Sequence, residues 1–258
     1  MRKILAAGML SLAVGSATFA QTPAAVPAPQ KPAAKAGAPG APSADQILNR
    51  YVEAIGGSAA WKKLTSRVST GTIDVPEMQI SGTVDFREKA PNHFLRVIVL
   101  NGATFRQGFD GTTAWTDDPQ DGLRTETGAE FEDTRFDADF YHPLDLRQLY
   151  SKFTATGTEK IGEHDTYVVE AARAGAESDK IYFDVKTGLA LRLISKRHTR
   201  DGVSAYQEDL EDYREVDGIK LPFTVRQSIS KPAFTVTFTE VRHNVELDEA
   251  EFSKPAAE

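Results

Sequence analysis

An alternation of apolar and polar residues, repeated along most of the chain, constrains the fold more than any other feature. Residues 78–87 read MQISGTVDFR, so apolar positions alternate with polar ones. Successive side chains of a strand point to opposite faces, and the pattern therefore predicts a strand with one buried and one solvated face. This period of two begins near residue 66. Further strands are predicted at 94–100, 104–109, 113–116, 153–158, 166–171, 180–185, 189–196, 204–213, 221–228 and 234–245.

Short turn signals separate these segments. They are Asn101-Gly102, Asp110-Gly111, Asp121-Gly122, Thr187-Gly188, Asp201-Gly202 and Asp217-Gly218. Such pairs supply the positive φ that tight hairpins need. Among the later segments there is no room for the helix that a parallel crossover requires. The sequence therefore predicts an antiparallel meander of about eleven strands, and a sheet of that width curls or closes into a barrel or half-barrel.

Helices are predicted at two places. Ser43 and Gln46 form a capping box, an apolar stripe runs to Ile55, and the glycine pair at 56–57 ends the helix. We expect Ser58 to cap a second short helix that reaches Trp61 and Leu64. Residues 129–150 predict one or two helices between two blocks of strands, with Pro143 in a first turn. The predicted fold is thus mainly β (α+β): a curved antiparallel sheet or unclosed β-barrel of about eleven strands, with an N-terminal helix and a central helical lid.

The N-terminal region predicts export. Arg2 and Lys3 precede a short apolar run, and a small-residue site ends at Ala20, which is typical of a signal peptide over residues 1–20. The run is too short for a membrane span, and no later segment approaches spanning length. Residues 21–42 are rich in Pro and Ala and predict a disordered linker. Residues 43–258 then form a single domain, which we expect to lie in the periplasm.

Composition excludes several classes of function. The chain has 258 residues, no cysteine and a net charge of −7. Disulfides, thiolate metal sites and attachment of lipid to an N-terminal cysteine are therefore excluded. An acidic chain without a basic cluster is not expected to bind nucleic acid.

Four segments resemble a known superfamily. They are residues 51–57 (YVEAIGG) leading to Trp61, 108–115 (GFDGTTAW), 212–223 (DYREVDGIKLPF) and 244–255. From about residue 43 to 255 the chain resembles the periplasmic lipoprotein carriers with a LolA/LolB-like fold, including outer-membrane lipoprotein-sorting proteins. The resemblance implies an unclosed barrel of eleven strands under a helical lid, with acyl chains in its cavity. It implies a protein that binds lipid or the acyl chains of lipoproteins, with a carrier role in outer-membrane biogenesis.

A ligand cavity would be lined by the apolar faces of the strands and by the lid. The residues predicted to line it are Phe86, Val97, Phe105, Trp115, Phe136, Phe140, Phe183, Leu191, Leu193, Phe223, Val236 and Phe238. An alternative reading keeps the sheet filled and makes the chain a non-catalytic interaction module that docks an envelope protein partner.

Evidence for catalysis is weak in the sequence. The five histidines lack the spacing of a zinc site, and nucleophile-elbow, Walker and dinucleotide-binding motifs are absent. The best catalytic candidates are His164, Glu208 and Asp212, for which turn or solvated-strand positions are the simpler explanation. We therefore expect no enzyme activity, no cofactor and no metal site.

Overall fold

One antiparallel sheet of thirteen strands dominates the computed structural model, which describes residues 41–228 and 232–256. The predicted signal peptide and nearly all of the linker lie outside these residues. The strands are β1 (Ser66–Val75), β2 (Ile80–Lys89), β3 (His93–Leu100), β4 (Ala103–Asp110), β5 (Ala114–Asp118), β6 (Gly122–Thr125), β7 (Lys152–Ile161), β8 (His164–Ala172), β9 (Asp179–Asp184), β10 (Ala190–Thr199), β11 (Gly202–Val216), β12 (Ile219–Ser228) and β13 (Phe234–His243).

The sheet consists of two meanders joined along one seam. The strand order is β6-β5-β4-β3-β2-β1-β13-β12-β11-β10-β9-β8-β7, so the first strand pairs with the last. Strands β6 and β7 are the two edges, and the sheet does not close into a barrel. The prediction of a mainly β fold with a curved, unclosed antiparallel sheet is confirmed.

Two strands exceed the predicted number of about eleven. Strand β1 is separated from β2 only by a 3-10 turn at Pro76–Met78, so the sequence pattern did not divide them. Met78, predicted at the start of a strand, lies in this turn and is exposed. Strand β6 has only four residues and pairs with β5 alone, which is too short for a clear alternation.

All six predicted turns connect consecutive strands, although Asp110, Gly122 and Gly202 are themselves terminal strand residues. Asn101 and Gly102 have φ of 49° and 78°, and Asp217 and Gly218 have φ of 52° and 81°. Positive φ at both central residues is the property that gives a two-residue hairpin the twist of its flanking strands.

The N-terminal helix α1 (Ala44–Ala54) begins at the predicted capping box, in which Ser43 and Gln46 hydrogen-bond reciprocally. The prediction for Ser58 was wrong. Helix α2 (Gly57–Trp61) begins after Gly56, and no side chain caps it. The backbone at Gly56 (φ 110°) turns the chain sharply, so the helix starts one residue before Ser58.

Two helices connect the meanders, as predicted: α3 (Gly128–Asp137) and α4 (His142–Leu149), the latter with Pro143 in its first turn. Helices α1 and α4 pack with β8, β9 and β10 in one apolar cluster. The C-terminal residues 245–252 pack near Val68 and Leu95. These two side chains point to the convex face, because they alternate along β1 and β3 with residues of the concave face. Neither these two helices nor the C-terminal residues cover the concave face of β1–β4 and β11–β13, and the candidate site lies on that face.

Candidate ligand-binding cavity

A cavity of about 280 Å³ lies on the concave face of the sheet. Its wall comes from seven strands that are adjacent in the sheet: β4, β3, β2, β1, β13, β12 and β11. Because successive residues of a strand alternate between faces, most of the wall comes from every second side chain, such as Arg96 and Ile98 on β3 or Phe234, Val236 and Phe238 on β13. The sheet curvature therefore forms the cavity, and no loop is needed to build it.

Most of the wall is apolar. The largest apolar side chains that line it are Phe86, Ile98, Phe105, Phe234, Val236 and Phe238. They belong to one cluster with buried Ile73, Val75 and Val84, and the rings of Phe86 and Phe238 meet edge to face at 5.7 Å. Such a surface favours a hydrocarbon chain over water.

Three arginines border the cavity, although the side chain of Arg106, between Phe105 and Gln107 on β4, points to the opposite face of the sheet. Arg67 pairs with Glu88 at 2.6 Å, and the Nε of Arg106 donates to Asp117 at 2.9 Å. Arg96 differs from both. Its guanidinium lies 4.6 Å from the ring centre of Phe94 and 6.0 Å from that of Phe86, and it forms no hydrogen bond or ion pair with any residue in 41–228 or 232–256.

Glu208 on β11 brings a carboxyl group into the same wall. Burial is the main cause that raises its pKa, to about 7, and the carboxylates of Asp137 and Asp179 add to the effect, while Arg197 and Arg96 oppose it. Its cross-strand neighbour Gln227 is 1% exposed, and its side-chain amide has no hydrogen-bond partner in the described structure.

Helix α3 bridges strands that lie far apart in the sheet. It contacts β5 near one edge and β10 in the other meander, so it spans the concave side. Its buried residues are polar: Asp133 and Thr134. Asp133 accepts from Arg173 at 2.7 Å and from the backbone N–H of His198 at 2.6 Å, and Thr134 donates to buried Glu126.

The end of α3 is held by Arg197 on β10. Its Nε donates to Asp137 at 3.1 Å, and its Nη1 donates to Asp179 at 3.2 Å. Burial raises the pKa of Asp137, but attraction and hydrogen bonding to Arg197 outweigh burial, so this pKa lies below its usual value. Asp179 also accepts from the hydroxyl of Tyr150 at 2.7 Å. Helix α3 is thus attached by buried ion pairs together with apolar packing, in which the ring of Phe131 lies 6.1 Å from that of Phe109.

Comparison with known proteins rests on structure alone, because no family model and no curated protein matches the sequence. A DUF1329 family protein from Desulfovibrio piger is 15% identical, with a TM-score of 0.53 over 81% of this chain and 96% of the other. A LolA superfamily protein from Nitrosomonas europaea is 13% identical, with a TM-score of 0.52 over 83% of this chain and 99% of the other.

The chain has a LolA/LolB-like fold. The motifs that carried the resemblance have structural roles within it. Gly56 approaches the backbone of the β11–β12 turn so closely that a Cβ would lie 2.3 Å from the carbonyl oxygen of Gly218. The Ile55 carbonyl accepts from the Trp61 indole at 3.1 Å and from the Lys220 N–H at 3.0 Å. The first and third motifs therefore dock α1 and α2 onto one hairpin.

The second motif packs the indole of Trp115 across Gly108. A Cβ on Gly108 would lie 2.5 Å from the ring, and the indole N–H donates to the carbonyl of Phe252 in the fourth motif at 2.8 Å. Between Gly108 and Trp115, the carboxylate of Asp110 closes the turn by accepting a hydrogen bond from the backbone N–H of Thr113 at 2.7 Å. In this LolA/LolB-like domain the four motifs are therefore mainly framework, although Leu221 and Pro222 of the third motif also line the cavity.

Four of the twelve residues predicted to line a cavity are on its wall: Phe86, Phe105, Val236 and Phe238. Their contact with a ligand stays a prediction. Val97 is on the opposite face, because Arg96 and Ile98 on either side of it point into the cavity.

The two predicted lid residues lie outside the wall of the cavity. Phe136 packs between two guanidiniums, 3.8 Å from that of Arg173 and 5.6 Å from that of Arg197. Phe140 is buried in the cluster around Trp61. Trp115 is 1% exposed against the C-terminal segment.

The remaining four predicted residues belong to the second meander, where helices or side chains cover the sheet. Phe183 and Leu193 pack in the cluster under α1 and α4. Leu191 lies at an irregularity in the β9–β10 pairing. Phe223 is buried with the guanidinium of Arg214 over its ring at 4.5 Å.

The sequence analysis did not identify the arginines of the cavity. Arg96 lies two residues from Phe94 and from Ile98, so the period of two that predicted the strand also places Arg96 on its buried face. A charged residue on an otherwise apolar strand face is unusual, and this feature could have identified Arg96 from the sequence.

The three catalytic candidates lie at three separate places. Glu208 lines the cavity, Asp212 pairs with Arg214 at the surface, and His164 approaches Asp184 at 2.7 Å beside a turn. Within residues 41–228 and 232–256 no three His, Asp or Glu side chains are grouped to hold a metal ion. In the same part of the chain, no helix is long and apolar enough to cross a membrane.

Proposed function

We propose that the protein is a periplasmic lipid-binding protein that takes up an acyl chain of a lipid or lipoprotein, as a carrier in outer-membrane biogenesis. The observation that supports this role is the apolar cavity on the concave face, which passes along seven strands. The proposal includes a purely binding role without catalysis.

The cavity has room for hydrocarbon. Its volume of about 280 Å³ is several times the ~30 Å³ share of one water molecule in the liquid. Burial of each methylene of an acyl chain contributes ~0.8 kcal/mol, so a chain of several carbons offers binding energy for retention against water.

The attachment of α3 suits a lid that opens. Beside the apolar contact of Phe131 with Phe109, the helix is held to the sheet by buried ion pairs and hydrogen bonds through Asp133, Thr134 and Asp137. Water can replace these polar contacts when the helix moves away from the sheet, which lowers the cost of opening. Ligand exchange through movement of α3 is therefore part of the proposal.

The alternative is an envelope interaction module with a filled core. That reading requires an interior without room for a ligand, and the cavity beside Phe105 and Val236 favours lipid binding instead.

A paired substitution tests the proposal. Val225→Phe enlarges a side chain on the cavity wall, and Val203→Phe makes the same change at a strand position that is 58% exposed. We expect wild type and Val203→Phe to take up a fluorescent acyl probe, with uptake by Val225→Phe at least tenfold weaker. Native mass spectrometry of the protein from the periplasm should show bound acyl material. Equal uptake by both variants, or no uptake by wild type, would contradict the proposal and favour the interaction module.

A further inference from the structure

Arg96 is a guanidinium without an acceptor inside an apolar cavity. The rings of Phe94 and Phe86 interact with its charge through their faces, at 4.6 Å and 6.0 Å from the guanidinium carbon. Its N–H groups, however, lie in the guanidinium plane and still require acceptors. No residue in 41–228 or 232–256 hydrogen-bonds to them, although Glu208 and Asp137 attract the charge from a greater distance. A partly buried guanidinium in this state is a site for an anion.

The other two arginines of the wall are not available in this way. Arg67 is already paired with Glu88, and Arg106 is already paired with Asp117. An anionic ligand would have to displace a carboxylate at either position, whereas at Arg96 it gains a charge-assisted hydrogen bond without displacing one.

The position of Arg96 in the sheet sets the direction of a bound ligand. Arg96 lies opposite Phe86 on β2 and opposite Gln107 on β4. The next residue of β3 on the same face is Ile98, which is opposite Phe105. A step of two residues covers ~6.6 Å along a strand, so the apolar wall begins about one step from the guanidinium.

We propose that the cavity selects a single-chain amphiphile with a carboxylate head, such as a free fatty acid, whose head group binds Arg96 and whose chain lies along Ile98, Phe105 and Val236. This inference rests on the proposed acyl-binding function and narrows its substrate class. A planar carboxylate matches the fork of N–H donors on a guanidinium. The cavity of about 280 Å³ has room for hydrocarbon beside this head group.

The protonation state of Glu208 should affect the binding of a carboxylate. The charged groups that act on it are Asp137 from α3, Asp179 from β9, Arg197 from β10 and Arg96 from β3. When Glu208 is ionised it competes for Arg96 and repels a second carboxylate, and when protonated it is a hydrogen-bond donor. Since its pKa is raised to about 7, a carboxylate ligand should bind more weakly at pH 8 than at pH 6.

The test compares decanoate with decanol, which share a chain length and differ in head group. Binding to delipidated full-length protein is measured by displacement of a fluorescent probe at pH 6 and pH 8. We expect wild type to bind decanoate at least tenfold more tightly than decanol at pH 6. Arg96→Gln should abolish this preference, so that decanoate is bound no more tightly than decanol. Arg106→Gln is the matched control and should retain the preference, because that arginine is paired with Asp117.

Glu208→Gln provides a second test that does not depend on the folding of the arginine variant. At pH 8 it should strengthen the binding of decanoate several-fold relative to that of decanol. Equal binding of the two ligands by wild type, or a preference that survives Arg96→Gln, would overturn the carboxylate site while leaving acyl binding intact. Binding of neither ligand by folded wild type would overturn both proposals.

Discussion

Close backbone approach makes individual glycines of this protein intolerant of any side chain. Gly56 and Gly57 are neighbours and both have positive φ, 110° and 77°. Only Gly56 faces another backbone, since a Cβ there would lie 2.3 Å from the oxygen of Gly218, whereas nothing lies within 4 Å at Gly57. The pair therefore separates the cost of a clash from the cost of backbone strain.

We expect Gly56→Ala to lower the free energy of unfolding by about 3 kcal/mol or more, because α2 must move away from the β11–β12 turn. Gly57→Ala should cost only about 1 kcal/mol, the usual strain of an alanine at positive φ. Urea denaturation of both variants measures the difference. Equal losses in the two variants would show that the contact with Gly218 is unimportant.

Glu208 should make stability depend on pH. Its pKa is raised from 4.5 to about 7 in the folded protein, chiefly by burial. Between these values the unfolded chain has lost the proton that the folded protein retains, so stability falls as the pH rises. Each unit of pKa difference corresponds to ~1.4 kcal/mol, so the free energy of unfolding falls by about 3 kcal/mol in total. Above about pH 7 this contribution no longer changes.

The measurement is the free energy of unfolding of wild type and Glu208→Gln from pH 4.5 to 8. Relative to the variant, wild type should lose stability as the pH rises to about 7 and then stay constant. A constant difference between the two proteins across this range would argue against a raised pKa at Glu208.

At the scale of elements, α3 depends on charges that have been removed from water. Arg197 is buried against Asp137 of α3 and Asp179 of β9, whereas Arg135 on the same helix pairs with Glu132 at the surface. Breaking a buried pair leaves an uncompensated buried charge, while an exposed pair contributes little.

We expect Arg197→Gln to lower the free energy of unfolding by about 3 kcal/mol and to speed amide hydrogen exchange in residues 128–137. Arg135→Gln, the matched control, should change stability by less than about 0.5 kcal/mol. Hydrogen exchange in α3 that is the same in both variants would rule out Arg197 as the attachment of the lid.

At the scale of the molecule, the pairing of β1 with β13 makes the two meanders one sheet. The rows of side chains continue across this seam, for example from Val84 through Gly71 to Phe238. The cavity includes both sides of the seam, so neither meander can form it alone. We infer that the two halves unfold together.

The two tryptophans report on this cooperativity, since Trp115 lies on β5 and Trp61 packs beside Ile219 on β12. In Trp61→Phe and in Trp115→Phe, we expect the fluorescence of the remaining tryptophan and the far-UV circular dichroism to give the same urea midpoint. Separate midpoints within either variant would show that the meanders unfold independently.

Local sequence information determined the elements of this protein. The alternation of residues 78–87, the turn pairs such as Asn101-Gly102 and the capping box at Ser43 depend on backbone preferences and on neighbours a few residues away. These signals were sufficient for the antiparallel meander, for α1 and for the lid between two blocks of strands, and the structure confirms them.

Only the tertiary structure decided where the interior is filled and where it is open. Phe183 and Phe238 both lie on apolar strand faces, but α1 and α4 cover the first, and the second faces the cavity. Arg96 and Arg106 both lie within predicted strands, and only strand pairing places Asp117 beside Arg106. Burial and charge pairing depend on residues distant in the chain, so a periodic pattern can predict a strand and its faces but not what each face meets.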